Sequence, residues 1–194
     1  MTTIYFVAFG PVDHSLLRKL AEETGRILGL TVEIAPAALE IPKNAYDRRR
    51  DQHLSDAFLA ELRRERPAPR ATVLGITQVD LYTPGLNFVF GQADMSERVA
   101  VISLCRLRPF RAILRAAPQG RSNGRTEFWG RPHNEPLLLE RAVKEAVHEL
   151  GHTFGLPHCP NPSCVMHFSN SLADTDRKGK QFCPSCKRKL PARP

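Results

Sequence analysis

Three histidines and a glutamate in the stretch His148-Glu149-Leu150-Gly151-His152-Thr153-Phe154-Gly155-Leu156-Pro157-His158 have the types and spacing for metal chemistry. On a helix turning about 100° per residue, His148 and His152 stand about 40° apart and Glu149 about 100° from His148. Two imidazoles one turn apart can share an ion and leave the carboxylate beside it, outside the coordination shell. A third donor has to come from beyond the helix. Gly155 offers the route, because a left-handed residue ends the helix and turns Pro157-His158 back toward the ion. Three neutral imidazoles around Zn²⁺ leave a fourth position for water, whose pKa falls toward neutrality; Glu149 can take its proton and later pass it to a leaving amine. The reaction this implies is peptide-bond hydrolysis, with a peptide or protein as substrate. The plainer alternative, histidines on a solvated helix face, leaves the glycine and the third histidine unexplained. It survives only for catalysis, since a bound ion does not prove turnover.

Cys159, Cys164, Cys183 and Cys186 form a C-x4-C and a C-x2-C pair separated by 18 residues. Four thiolates at such spacing make a closed tetrahedral zinc site with no place for substrate, hence a structural one. A reactive dithiol at Cys183-Pro184-Ser185-Cys186 and a nucleic-acid-binding zinc knuckle are the alternatives. Because Cys159 follows His158 directly, fixing one cluster restrains a ligand of the other.

The composition sets the frame. A chain of 194 residues that is 42% hydrophobic is sized for one domain with a sufficient core. No run reaches the roughly 18 apolar residues of a membrane span, and the first residues lack the pattern of a secretory signal, so the expectation is a cytoplasmic protein in which short-spaced cysteines bind metal. The net charge is +8, with 21 of the 28 basic residues arginine. A basic excess speaks to partners and not to fold, and membrane binding is not expected.

Elements must position these side chains. The pattern predicts a strand over 3–9, a helix capped by Asp13 and ending at Gly29, and a strand over 31–35: a βαβ opening. A helix is predicted over 51–66 with Leu54, Phe58 and Leu62 on one face, then buried strands over 71–77 and 99–104. Asn87 to Gly91, after the turn at Pro84-Gly85, reads as an edge strand. Residues 106–133 read as a long surface loop anchored by Trp129, able to act as a lid. A last helix runs over 135–153, capped by Asn134, with Leu139, Val143, Ala146 and Leu150 opposite the histidines. Beyond Gly155 the chain reads as loop. Cys105 is expected to be a buried thiol, and His14, His53 and His133 to be surface residues.

With these residues in view, the sequence resembles the metzincin metalloproteases and, within them, the archaemetzincins. The motif H-E-x-x-H-x-x-G-x-x-H is the wider signature; Cys159 after the third histidine, Cys164-Val165-Met166 and the Cys183/Cys186 pair carry the narrower resemblance. It extends upstream through Tyr46-Asp47, Arg50, Gln52, Asp80-Leu81-Tyr82, Gly85 to Gly91 and Ser103 to Leu107. The gap from Met166 to Cys183 is one residue shorter than the family pattern, and His167 stands where Asn is common.

The resemblance implies two Zn²⁺ per chain. His148, His152 and His158 would hold a catalytic ion with Glu149 as base, the four cysteines a structural one, and Met166 a turn beneath the catalytic metal. It also implies that the upper-rim strand, matched by Phe88-Val89-Phe90, pairs with an extended substrate. The expected fold is α/β: a mostly parallel twisted sheet with an antiparallel edge strand, packed by helices. A catalytic body over 1–158 and a C-terminal segment over 159–194, with the Met166 turn and the cysteines, would form one domain. Tyr46, Tyr82, His133 and His167 are candidates to steady an oxyanion. Two rival readings are a non-catalytic or gated zinc protein that uses the basic stretch 178–188 on nucleic acid or an acidic partner, and a narrow-specificity aminopeptidase.

Overall fold

The computed structural model describes residues 3–108 and 135–190. Its main sheet has five strands: β1 (Thr3–Phe9), β2 (Thr31–Ile34), β5 (Thr72–Thr77), β8 (Val99–Ser103) and β7 (Gly91–Asp94), in the order β2-β1-β5-β8-β7. All neighbours are parallel except β7, which runs antiparallel to β8. A second, three-stranded sheet joins β3 (Tyr46–Asp47), β4 (Gln52–Leu54) and β6 (Leu81–Tyr82). The α/β class, the parallel sheet and the antiparallel edge are those expected.

Helix α1 (His14–Leu28) starts where Asp13 accepts the Leu16 N–H at 2.8 Å and stops at Gly29. It packs on one face of the sheet with α3 (Glu135–Thr153), against Ile4, Phe6, Leu74, Ile76, Ala100 and Ile102. Helix α2 (Ser55–Arg64) covers the other face through Phe58 and Leu62 against Val73, Val99 and Val101. Alternate residues of β5 and β8 thus serve two cores, as the period of two in a doubly covered strand requires. Cys164, Val165, Met166, Phe182 and Cys186 join the α1/α3 core.

Three elements differ from expectation. The second helix begins at Ser55 and not at 51, because Gln52–Leu54 is drawn into pairing with β3 and β6 after a turn at Asp51. The edge strand is Gly91–Asp94, a few residues beyond Asn87–Gly91. Its register follows from the hairpin in which the Asp94 carboxylate accepts from Ser96 Oγ at 2.6 Å and the Glu97 N–H at 3.1 Å. Phe90 is instead buried in the core, and Val89 only bridges to Leu81. After Gly155 the chain also carries two short helices, α4 (Leu172–Arg177), capped by Ser171, and α5 (Pro184–Lys189), opened by its proline.

The loop expected over 106–133, with Trp129, His133 and the cap Asn134, lies outside the described residues apart from Arg106, Leu107 and Arg108. No helix among the described residues is long and apolar enough to cross a membrane. Cys105 is half-buried. His53, expected at the surface, is half-buried, its ring 5.1 Å from that of Tyr46 and 6.4 Å from that of Phe58.

Candidate metal centres and active site

Helix α3 is buried on every side from Arg141 to Gly151, which its polar residues did not announce. The apolar side packs on the sheet as expected. The polar side is covered by α4: Arg141 makes a two-pronged ion pair with Asp176, both contacts at 2.7 Å, and Lys144 donates to the Asp176 carbonyl at 3.1 Å. Glu145 accepts from Thr175 Oγ1 and pairs with Lys178 Nζ, each at 3.1 Å. Lys178 is therefore an interior residue and contributes nothing to a basic surface.

The helix ends at Thr153, and Gly155 takes φ 87°, in the left-handed region. The turn brings His158 beside His152 and His148, with ring centroids 4.8 and 5.3 Å apart. One ring nitrogen from each histidine lies within 4.8 Å of the others. His148 Nδ1 donates to the Val165 carbonyl at 2.8 Å and His152 Nδ1 to the Leu156 carbonyl at 2.7 Å. A carbonyl only accepts, so the proton is on Nδ1 and each Nε2 presents a lone pair. Those two Nε2 atoms face each other at 3.2 Å. Facing lone pairs repel unless a cation lies between them, and a tetrahedral ion with ~2.05 Å bonds to nitrogen would separate its donors by about 3.3 Å. The donor set fits zinc. Burial also pushes all three imidazoles below the usual histidine range, with Lys178 adding to it, which favours the neutral, metal-binding form.

Glu149 lies beside this cluster against edge strand β7. A Cβ on Gly91 would come within 2.7 Å of Glu149 Cγ and 2.8 Å of its Oε1, so the carboxylate sits where the strand has no side chain. Burial, reinforced by the neighbouring Glu145 and opposed by Lys178, pushes its pKa up to about 8. Below the helix, Met166 is fully buried and its sulfur occupies the space that a side chain on Gly151 would need.

The four cysteines come together separately, their sulfurs within 4.8 Å of one another. Cys159 and Cys183 are 3.9 Å apart, far beyond a disulfide bond and close to the ~3.8 Å edge of a tetrahedron with 2.3 Å zinc–sulfur bonds. The backbone N–H of Cys186, at the start of α5, draws the Cys183 thiol down to about 7. The two clusters share a seam: Cys159 N–H donates to the Met166 carbonyl at 2.9 Å, and His167 Nδ1 to the Cys159 carbonyl at 3.0 Å. Phe168, 42% exposed, rests on the His158 ring with centroids 4.8 Å apart.

Of the oxyanion candidates, Tyr46 gives its hydroxyl to Asp51 at 2.8 Å and Tyr82 donates to Asp47 at 3.4 Å, both within the small sheet. Arg50, Gln52, Asp80 and Arg106, which carried part of the resemblance, hold the segment that leads into β7. Arg50 donates to the Leu86 carbonyl at 3.1 Å and Gln52 to the Asn87 carbonyl at 3.0 Å. Arg106 pairs with Asp80 and lies over the Phe88 ring, 4.3 Å from its centroid.

Two histidines on a helix joined by a third from beyond its end, a methionine beneath them and an antiparallel edge strand beside them define a metzincin-type arrangement, and comparison with known proteins gives the family. The profile described as "Peptidase family M54" matches residues 122–192. The chain is 44% identical to the archaemetzincin of Thermococcus kodakarensis over 195 aligned positions, 98% of this chain and 96% of that one. It is 41% identical to the archaemetzincin of Methanocaldococcus jannaschii, covering 93% and 88%. The crystal structure of Archaeoglobus fulgidus archaemetzincin complexed with malonate aligns with a TM-score of 0.75 at 34% identity, over 97% of this chain and 99% of that one. A zinc-dependent peptidase from Methanocorpusculum labreanum gives a TM-score of 0.78 at 31% identity, covering 96% and 99%. The chain belongs to the archaemetzincins, and is a zinc metallopeptidase acting on peptides or proteins.

Proposed function

We propose that the chain hydrolyses peptide bonds with Glu149 as general base, that His148, His152 and His158 hold the catalytic zinc, and that Cys159, Cys164, Cys183 and Cys186 hold a structural one, two ions per chain. Bound at the histidines, zinc would supply a Lewis acid and acidify a water. Around it the chain's own groups divide the work. The Val165 and Leu156 carbonyls fix the tautomer and orientation of two imidazoles. Glu149 takes a proton from the attacking water and returns it to the leaving amine. Its burial raises its proton affinity and a dication at the histidines would lower it, which together suit a group that must both accept and release a proton near neutral pH. Edge strand β7 borders the carboxylate, and its outer edge has no strand partner among the described residues, so an extended peptide can pair there.

The observation that carries the reading is the buried Glu149 beside two imidazoles whose Nδ1 atoms are held by carbonyls and whose Nε2 atoms face one another at 3.2 Å. The test compares wild type and Glu149→Ala, both shown to hold two zinc ions, on a peptide library read by mass spectrometry. Cleavage by wild type alone is expected; equal cleavage by both removes Glu149 from the mechanism. Peptides with blocked amino termini, cut equally well, exclude an aminopeptidase.

A further inference from the structure

We propose that Lys178 is a positioning residue for the histidine site, tying the turn at Met166 to helix α3; this rests on the reading that those histidines hold the metal. The Lys178 side chain is wholly buried, and its Nζ lies 3.1 Å from Glu145 Oε1 and 3.4 Å from the His167 carbonyl oxygen. Glu145 is 3% exposed. Taking an ammonium and a carboxylate out of water is costly, and apolar residues of similar volume commonly serve a core as well or better. Stability alone gives no reason for this pair.

Connectivity does. Glu145 stands three residues before His148 and four before Glu149, on the helix face they share. The His167 carbonyl belongs to the turn whose Val165 carbonyl receives the His148 Nδ1 proton at 2.8 Å. Glu145, Lys178, the His167 carbonyl, the Val165 carbonyl and His148 therefore close a ring that begins and ends on α3. Within it the His148 imidazole cannot swing without displacing Val165, and Val165 cannot shift without loosening the grip of the ammonium on His167. The same turn carries His167 Nδ1 on the Cys159 carbonyl and Phe168 on the His158 ring, so the tie extends to the third histidine. The field of the ammonium reaches all three imidazoles and favours their neutral form.

Lys178→Met alone leaves Glu145 buried without a counter-charge, and that variant can fail by unfolding. The decisive variant is Lys178→Met/Glu145→Leu, which removes the tie without changing the local net charge. Zinc affinity is measured at each site by competition with a chelator, alongside thermal melting and peptide hydrolysis. The double variant is expected to melt near wild type and keep its cysteine-bound zinc. Its affinity at the histidines should fall about 10–100-fold, with kcat lowered and KM nearly unchanged. Lys178→Arg, which keeps a charged donor, is expected to retain part of the affinity. Wild-type zinc affinity and kcat in the double variant would reduce the pair to space-filling and overturn the proposal, as would parallel loss of both metals and of the fold. If wild type binds zinc at the histidines but cleaves nothing, the proposed reaction fails while the affinity comparison still decides the tie.

Discussion

The histidine and cysteine clusters each bring their donor atoms within 4.8 Å of one another, yet they suit different work. Four thiols complete a tetrahedron and leave no position for a reactant. Three imidazoles leave one, and a buried carboxylate stands beside it. The histidine site is also half open, with His158 exposed, whereas Cys164 and Cys186 are buried in the core that supports α1 and α3. Proximity of ligands does not separate a catalytic from a structural centre. The number of donors and the groups beside them do.

That contrast can be broken in order of expected effect. Cys186→Ser should remove the ion proposed at the cysteines and, since metal binding at such a site would be folding free energy, leave a chain that melts far lower or not cooperatively by circular dichroism. His158→Ala should instead keep the fold and the cysteine-bound zinc. Zinc analysis should show one ion lost, with hydrolysis reduced by at least about 100-fold, because an exposed ligand adds little to the core. Gly91→Ala should retain both metals and lower kcat by roughly 10–100-fold, since a methyl group there displaces the Glu149 carboxylate.

The smallest effect sharpens the electrostatic side. With the histidine site stripped of metal, Glu149 has a folded pKa of about 8 against an unfolded value near 4.5. Folding then favours its protonated form, so its contribution is fully present below pH ~4.5 and is lost as pH rises toward about 8. Metal-free Glu149→Gln should melt higher than metal-free wild type at pH 8 and lose that advantage below pH 5; a constant difference across this range would show that the carboxyl is not shifted.

Much of this was legible from the residues. The βαβ opening, the cap at Asp13, the stop at Gly29, the parallel strands and the helix ending before Gly155 rest on short-range spacing, and each stands as read or within a residue. The misplaced start of α2 and the shifted edge strand differ in cause: Gln52–Leu54 takes its conformation from β6, far along the chain, which local pattern does not encode, whereas Gly91–Asp94 takes its register from the hairpin that joins it to β8. Lys178 is the sharpest case. In sequence it heads a basic stretch and suggests a surface for acidic partners; in the fold it is buried against Glu145. The only hint was a helix whose polar residues Arg141, Lys144 and Glu145 needed partners if that side were covered.

Residue types and spacing alone mark the proposed donors: two histidines one helical turn apart, a glycine able to end the helix, a third histidine, and four cysteines at metal-binding spacing. Such relations span a few residues and obey the geometry of a single turn or loop. It takes the folded chain to show which carbonyls orient the rings, that Gly91 makes room for Glu149, that Gly151 admits Met166, and that an ammonium lies buried beneath the site. Those contacts join segments far apart in the chain, and close packing of the sheet, α3 and the C-terminal segment is what sets the distances between them.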